Sequence, residues 1–170
     1  MIRLATELDS TEIVKIYNFY VLNTTVTFEE YLLEPDEMAD RIASTLKDNL
    51  PWLVAEQDGQ IIGYAYASKW KGRCAYKHSV ESTVYLSDGI VSKGWGSKLY
   101  QELLKALTDK NFHVAIGGIS LPNAKSVGLH EKFGFEKVGH FREVGYKFDK
   151  WVDVGYWQIN LESNERITKK

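Results

Sequence analysis

In Ser79-Val80-Glu81-Ser82-Thr83-Val84-Tyr85-Leu86 a carboxylate sits inside an alternating run. A period of two belongs to a strand and puts Glu81 beside the hydroxyls of Ser79 and Thr83 on one face. A charge in mid-strand is costly unless it is paired or used. The residues alone therefore leave Glu81 open as a structural ion-pair member or a proton acceptor. A second chemical feature follows it, the stretch Val91-Ser92-Lys93-Gly94-Trp95-Gly96. It is not a nucleoside-triphosphate loop, because Trp95 stands where Lys and Ser or Thr are required after the second glycine. Nor is it a dinucleotide fingerprint, because Leu99 stands where the third glycine belongs. What remains is either a plain turn or a run of small residues whose free N–H groups, at a helix start, suit phosphate oxygens. Cys74 with His78 invites a thiol nucleophile, but no third group orients the pair. His113 and His140 lack metal-ligand spacing, and no metal is expected.

The elements that must position these groups follow from periodicity. Ile2 to Ala5 reads as a short strand. Ser10 can cap a helix with Ile13, Ile16, Tyr17, Tyr20 and Val21 on one face. A loop over Asn23 to Tyr31 leads to a second helix opened by Pro35, Asp36 and Glu37, with Met38, Ile42 and Leu46 at helical spacing. Asp58-Gly59 between Trp52 to Glu56 and Ile61 to Ala67 marks a tight hairpin. The strand from Ser79, a helix carrying Leu99, Leu103, Ala106 and Leu107, and a strand over Phe112 to Ser120 require a parallel pair with a right-handed crossover. The glycine stretch then lies where a strand's carboxyl end meets a helix N-terminus. A short helix from about Lys125 to Phe133, capped by Gly134, precedes strands around Phe135 to Gly139 and Trp151 to Leu161. The class is α/β with a mixed sheet.

Composition narrows the function. At 170 residues, 44% hydrophobic and 26% charged, the chain is expected to be one domain over residues 1–162, with a polar tail over 163–170. The longest stretch free of Asp, Glu, Lys and Arg, Asn111 to Ala124, is shorter than the ~20 residues that span a bilayer, so no membrane insertion is expected. Met1 to Glu7 shows no secretory pattern, and one cysteine cannot build a disulfide framework, so a cytoplasmic location is expected. A net charge of -2 gives no basic field for nucleic acid.

Several strings in order are shared with one family: Asn23-Thr24-Thr25-Val26-Thr27-Phe28-Glu29-Glu30, Glu37-Met38 with Arg41-Ile42, Arg73-Cys74-Ala75-Tyr76, and Val80 to Ser87. Further on come Leu121-Pro122-Asn123 through Ser126 to Leu129-His130-Glu131, Gly134-Phe135, Lys147-Phe148, and Trp151 with Asp153-Val154 and Trp157-Gln158. On these the chain, to about Leu161, resembles the GCN5-related N-acetyltransferase (GNAT) superfamily, and within it the phosphinothricin and methionine sulfone acetyltransferases. The resemblance implies a strongly bent mixed sheet whose two central parallel strands splay apart, flanked by helices, with acetyl-CoA in the gap. It implies direct transfer of an acetyl group in a ternary complex to the amine of a small amino-acid-like acceptor of the phosphinothricin, methionine sulfone or sulfoximine type, and a homodimer. An acceptor that is a protein or peptide N-terminus, and a CoA-binding module without catalysis, stand as alternatives.

Residue by residue, the resemblance implies that the backbone of Val84, Tyr85 and Leu86 holds the pantetheine arm. Val91, Ser92, Lys93, Gly94, Trp95 and Gly96 would cradle the diphosphate, although Val91 and Ser92 replace the family's usual polar or basic start. Asn123 and Ser126 would also face the cofactor, with helix capping as the other role for Asn123. Because an alkyl amine is protonated at neutral pH, a base is needed, and Glu81 takes that place. His130 stands where the superfamily usually offers a tyrosine as the acid for the leaving thiolate, with packing as its other role. Phe28, Glu29, Arg73, Ala75 and Tyr76, together with Glu81, would line the acceptor pocket, Arg73 pairing with an acceptor carboxylate.

Overall fold

The computed structural model describes residues 1–90 and 94–161; the expectations for Val91, Ser92, Lys93 and the tail fall outside them. The chain runs β1 (Ile2–Leu4), α1 (Ser10–Asn23), α2 (Pro35–Lys47), β2 (Trp52–Gln57), β3 (Gln60–Lys69), β4 (Ser79–Leu86), α3 (Trp95–Asp109), β5 (Val114–Leu121), α4 (Ala124–Lys132), β6 (Glu136–Lys147) and β7 (Lys150–Asn160). All seven strands join one sheet in the order β1-β2-β3-β4-β5-β7-β6. Only the central β4–β5 contact is parallel; the others are antiparallel.

Alternation explains how one sheet carries two cores. On β2, Trp52 and Val54 face one side and join α1 and α2, burying Ile13, Tyr17, Met38, Ile42, Tyr64 and Tyr85. Leu53 and Ala55 face the other side and join Leu99, Tyr100, Leu103 and Leu107 of α3. A strand buried on both faces has no polar alternation to show. The Asp58-Gly59 turn has positive φ at both residues, 53° and 76°, as a two-residue hairpin with the sheet's own twist demands.

Two expectations are corrected. Ser10 is the first residue of α1 rather than its cap, because the preceding Asp9 carboxylate is turned back onto the Thr6 N–H and the Arg3 guanidinium. β6 runs on to Lys147, well beyond Gly139, and turns into β7 through Phe148 and Asp149. Its register against β7 shifts between Lys137 and Gly139 and again between Phe141 and Gly145, and Glu143 has φ 49°. Such bulges break the period of two by which a strand is read.

β4 and β5 pair only at Ser79↔Val114, Val80↔Ala115 and Glu81↔Ile116. β4 nevertheless stays paired with β3 to Leu86, and β5 with β7 to Leu121. The two central strands therefore part just after Glu81. At that point side chains replace the ladder. The Ser82 hydroxyl donates to the Ile116 carbonyl at 3.2 Å and lies 2.7 Å from the Tyr100 hydroxyl. With its one proton committed to Ile116, Ser82 must accept from Tyr100.

Candidate active site

The parting strands open a cleft of about 640 Å³ whose lining includes Val84 and Leu86 of β4, Gly94, Gly96 and Ser97 at the start of α3, and Asn123, Ser126 and Lys132 from α4 and its cap. The backbone of β4 explains its chemistry. Ser87 N–H bonds the Ile62 carbonyl on β3, so by alternation the peptide groups of Val84 and Leu86 point the other way, into the gap. The Leu86 carbonyl is taken by the Tyr20 hydroxyl at 2.7 Å. Among the described residues the Val84 and Leu86 N–H groups and the Val84 carbonyl have no partner and suit an extended ligand. Tyr85, expected beside them, instead turns its peptide toward β3 and buries its ring against Tyr17, Tyr20 and Tyr64.

At the cleft's far end Gly94 caps α3 with φ 80°, a conformation open to glycine without strain. The first intrahelical donor is Lys98, bonded to the Gly94 carbonyl. Among the described residues the N–H groups of Trp95, Gly96 and Ser97 have no acceptor, which suits a ligand at the positive end of the helix. The Trp95 side chain itself packs against the α3 core. Asn123 does what its capping alternative required, its Oδ1 accepting from Ser126 N–H at 3.1 Å, while both residues line the cleft.

Glu81 is on the opposite side chain row, the last residue of β4 paired with β5. A Cβ added at Gly118 would lie 3.0 Å from its Oε1 and 3.1 Å from the Tyr156 ring, so the glycine gives the carboxylate room beside β5 and Tyr156. Among the described residues Glu81 has no hydrogen-bond or ion-pair partner. Burial pushes its pKa up, and the Lys71 cation pulls it partly back. An unpaired, desolvated carboxylate at the split holds a proton more readily than an exposed one, which suits a general base.

His130 is 4% exposed, and its ring meets Tyr100 and Phe135 edge-on. Its Nδ1 lies 2.8 Å from the Ser126 carbonyl and must carry the proton there. Burial lowers its pKa, with the Ser126 bond opposing, so the ring is favoured in its neutral form. Nε2 is then a bare acceptor, buried without a partner and pressed on Gly117, where an added Cβ would come within 2.2 Å. This geometry supports fastening α4 to β5 and, in the neutral ring, leaves Nε2 an acceptor.

The expected acceptor residues fall in two places. The Phe28 ring packs on β6 at Gly145, where an added Cβ would collide with it. The loop is clamped by Lys147, whose ammonium donates to the Thr27 carbonyl at 2.8 Å, and by the Tyr17 and Thr27 hydroxyls, also 2.8 Å apart. Glu29 pairs with Arg41 at 2.8 Å. Arg73, Ala75 and Tyr76 are exposed on the β3–β4 connection. Arg73 and Tyr76 line a separate depression of about 280 Å³ with Lys71 and Lys77, sharing no residue with the cleft. Lys71, Gly118 and the Ser82–Tyr100 pair were not singled out from the sequence, and Lys147 entered only within the Lys147-Phe148 string without a role; their partners lie elsewhere in the chain and leave no local pattern.

The arrangement of parted strands, free β4 amides and a glycine-capped helix agrees with what comparison finds. The chain matches the acetyltransferase (GNAT) domain family over residues 2–155. It belongs to the GNAT acetyltransferase family. Such domains are acetyl-CoA-dependent acetyltransferases, and this chain is one. It is 44% identical over 161 residues to a phosphinothricin N-acetyltransferase of Streptomyces viridochromogenes, covering 95% of this chain and 87% of that one. It is 36% identical over 158 residues to an L-methionine sulfoximine/L-methionine sulfone acetyltransferase of Pseudomonas aeruginosa, covering 91% and 90%. Among solved structures, a phosphinothricin acetyltransferase of Sinorhizobium meliloti in complex with acetyl-CoA superposes with a TM-score of 0.93 at 35% identity, covering 97% of this chain and 90% of that one.

Proposed function

We propose that this acetyltransferase acetylates the amino group of small amino-acid-like acceptors of the phosphinothricin, methionine sulfone or sulfoximine type. The observation that carries the reading is Glu81, a half-buried carboxylate without a partner at the point where β4 leaves β5. Acetyl-CoA, when bound, supplies an acyl group activated as a thioester. The residues present fit it, since Val84 offers its N–H and carbonyl, Leu86 its N–H and, among the described residues, the start of α3 three more unpaired N–H groups without side-chain crowding at Gly94. Those β4 amides also suit the negative charge that grows on a carbonyl oxygen under attack. Glu81 takes the proton of the attacking amine, directly or through one water. Arg73, with Lys71 beside it, is suited to grip the acceptor's carboxylate, and the clamped Phe28 loop to wall its side chain. His130 positions α4.

The test is an acceptor panel with acetyl-CoA, read by thiol release and mass spectrometry. Turnover on phosphinothricin and methionine sulfone, with peptide N-termini inert, is the expected result. A peptide acetylated with higher kcat/KM, or CoA binding without thiol release, overturns it.

We also propose that a second copy covers the β6–β7 face, where Val138, Phe141, Val144, Tyr146, Phe148 and Trp151 are all exposed. So many exposed large apolar side chains on two paired strands and their turn are unusual on a monomer. Light scattering at micromolar concentration should give twice the 19.5 kDa chain mass; a monomer refutes it. The cytoplasm, where acetyl-CoA is available, is the proposed location; no helix among the described residues is long and apolar enough to cross a membrane.

A further inference from the structure

Among the described residues, the cations that line the cofactor cleft both come from its α4 wall. In the stretch leading into α3, Val91 and Ser92 are uncharged by sequence, and Lys93 lies outside the described residues. Lys125 and Lys132 both line the cleft from α4. Lys132 is the last residue of α4, and its ammonium crosses to the first turn of α3, donating to the Ser97 hydroxyl at 3.0 Å. That turn holds no acidic residue, and its Trp95, Gly96 and Ser97 N–H groups have no acceptor among the described residues. Among the described residues Lys132 forms no ion pair. The negative end of α4's dipole favours a cation at its last turn, but the bond to Ser97 aims this one away from its own helix and at the positive end of another. Asp88 also lines the cleft, but among the described residues no ion pair joins it to Lys132. A cation held beside a helix N-terminus without a paired anion is electrostatically unfavourable unless a ligand supplies the negative charge.

We propose that Lys132 is the cation that holds the diphosphate of acetyl-CoA, completing from α4 the anion site opened by the first turn of α3. The inference rests on the acetyl-CoA reading of the cleft. The diphosphate carries two charges, and the three helix N–H groups supply hydrogen bonds with only a fractional charge; Lys132 supplies a full one. Ser97 is then a positioning residue, its hydroxyl fixing the ammonium within reach of the same oxygens.

The test compares wild type, Lys132→Ala and Lys132→Arg. Calorimetric titration is made with CoA and with 3′-dephospho-CoA, and kcat/KM is measured with S-acetylpantetheine, which lacks the diphosphate. Lys132→Ala should weaken CoA and dephospho-CoA by the same roughly fivefold to tenfold factor, the worth of a partly exposed charge-assisted contact. It should leave S-acetylpantetheine turnover and the melting midpoint unchanged, and Lys132→Arg should restore most of the affinity. The loss should shrink at 1 M salt, where screening is nearly complete. A loss confined to CoA assigns the lysine to the 3′-phosphate and overturns the proposal, as does a loss shared by S-acetylpantetheine or no loss at all. Failure of the wild type to bind CoA would instead sink the acetyl-CoA reading itself.

Discussion

Replacing Ser82 tests whether side chains set the point at which the central strands part. Ser82 is 4% exposed and Tyr100 is 0% exposed, so water cannot repair either bond. Ser82→Ala leaves the Tyr100 hydroxyl without a partner and removes the Ser82 donor from the Ile116 carbonyl. A buried group left unsatisfied costs about 1–3 kcal/mol, so the variant should lose roughly 2–4 kcal/mol. For a domain of this size that lowers the melting midpoint by roughly 5–15 °C. Tyr100→Phe is milder, because Ser82 keeps its bond to Ile116, and should cost about 0.5–1.5 kcal/mol. In the double variant the stranded hydroxyl is gone, so its loss should fall short of the sum by about 1–2 kcal/mol. Urea unfolding of all four proteins gives the cycle, and the acetyl-CoA KM should rise with Ser82→Ala because Val84 lies two residues further on. Strict additivity, or a Tyr100→Phe cost larger than that of Ser82→Ala, refutes the reasoning.

Glu81→Gln should lower kcat by roughly 100-fold, about 2.7 kcal/mol of transition-state stabilisation, with CoA affinity unchanged by calorimetry. Wild-type kcat/KM should climb as pH rises through the raised Glu81 pKa, and that limb should vanish in the variant; a retained limb assigns it to another group. The sign for stability is opposite. A carboxyl whose folded pKa lies above its unfolded value loses stabilisation as pH rises through the folded pKa, so Glu81→Gln should equal or exceed wild type in melting midpoint at pH 7, the difference closing in acid. Lys147→Met keeps the buried stem but frees the Thr27 carbonyl. It should raise the acceptor KM roughly fivefold, as expected if the clamped loop becomes the minor population, and leave the acetyl-CoA KM alone. Equal rises in both would show a general loosening of the fold.

Much of the fold was legible because local chemistry and global placement agree. Asp58-Gly59 permits one kind of turn, the α3 leucines recur at helical spacing, and strand, helix, strand around the glycines admits one handedness. Glu81 stood out because a charge in an alternating strand needs a reason. What escaped was set by contacts across the chain. Ser82 read as one more alternating position, although its partners are Tyr100 and the Ile116 carbonyl. His130 carried the right residue type for an acid, but its tautomer is decided by the Ser126 carbonyl and its reach by Gly117, neither of which a pattern reports. β6 hid behind its own bulges, and Lys147 stood only as one letter of a family string, its partner Thr27 lying 120 residues away. The acceptor residues were grouped by string, whereas the structure separates the Phe28 loop from the Arg73 depression.

The division of labour on β4 follows from strand geometry. Peptide groups and side chains both alternate with a period of two, and on this strand the two alternations are locked in one phase. Even residues turn their peptides into the gap and their side chains toward α3 and α4. Odd residues bond β3 with their peptides and aim their side chains at α1 and α2. One strand therefore presents free amides at 84 and 86 without blocking them, and a carboxylate at 81 without placing it in the cleft. Because β3 fixes the register up to Leu86, Glu81 cannot slip toward the cofactor face unless the whole hairpin shifts, which would bury Ser82 and Val84 on the wrong side. The split after Glu81 is then the one position where both roles are served: a residue earlier, β5 still occupies the gap-facing amides, and a residue later, the side chain row belongs to the cleft.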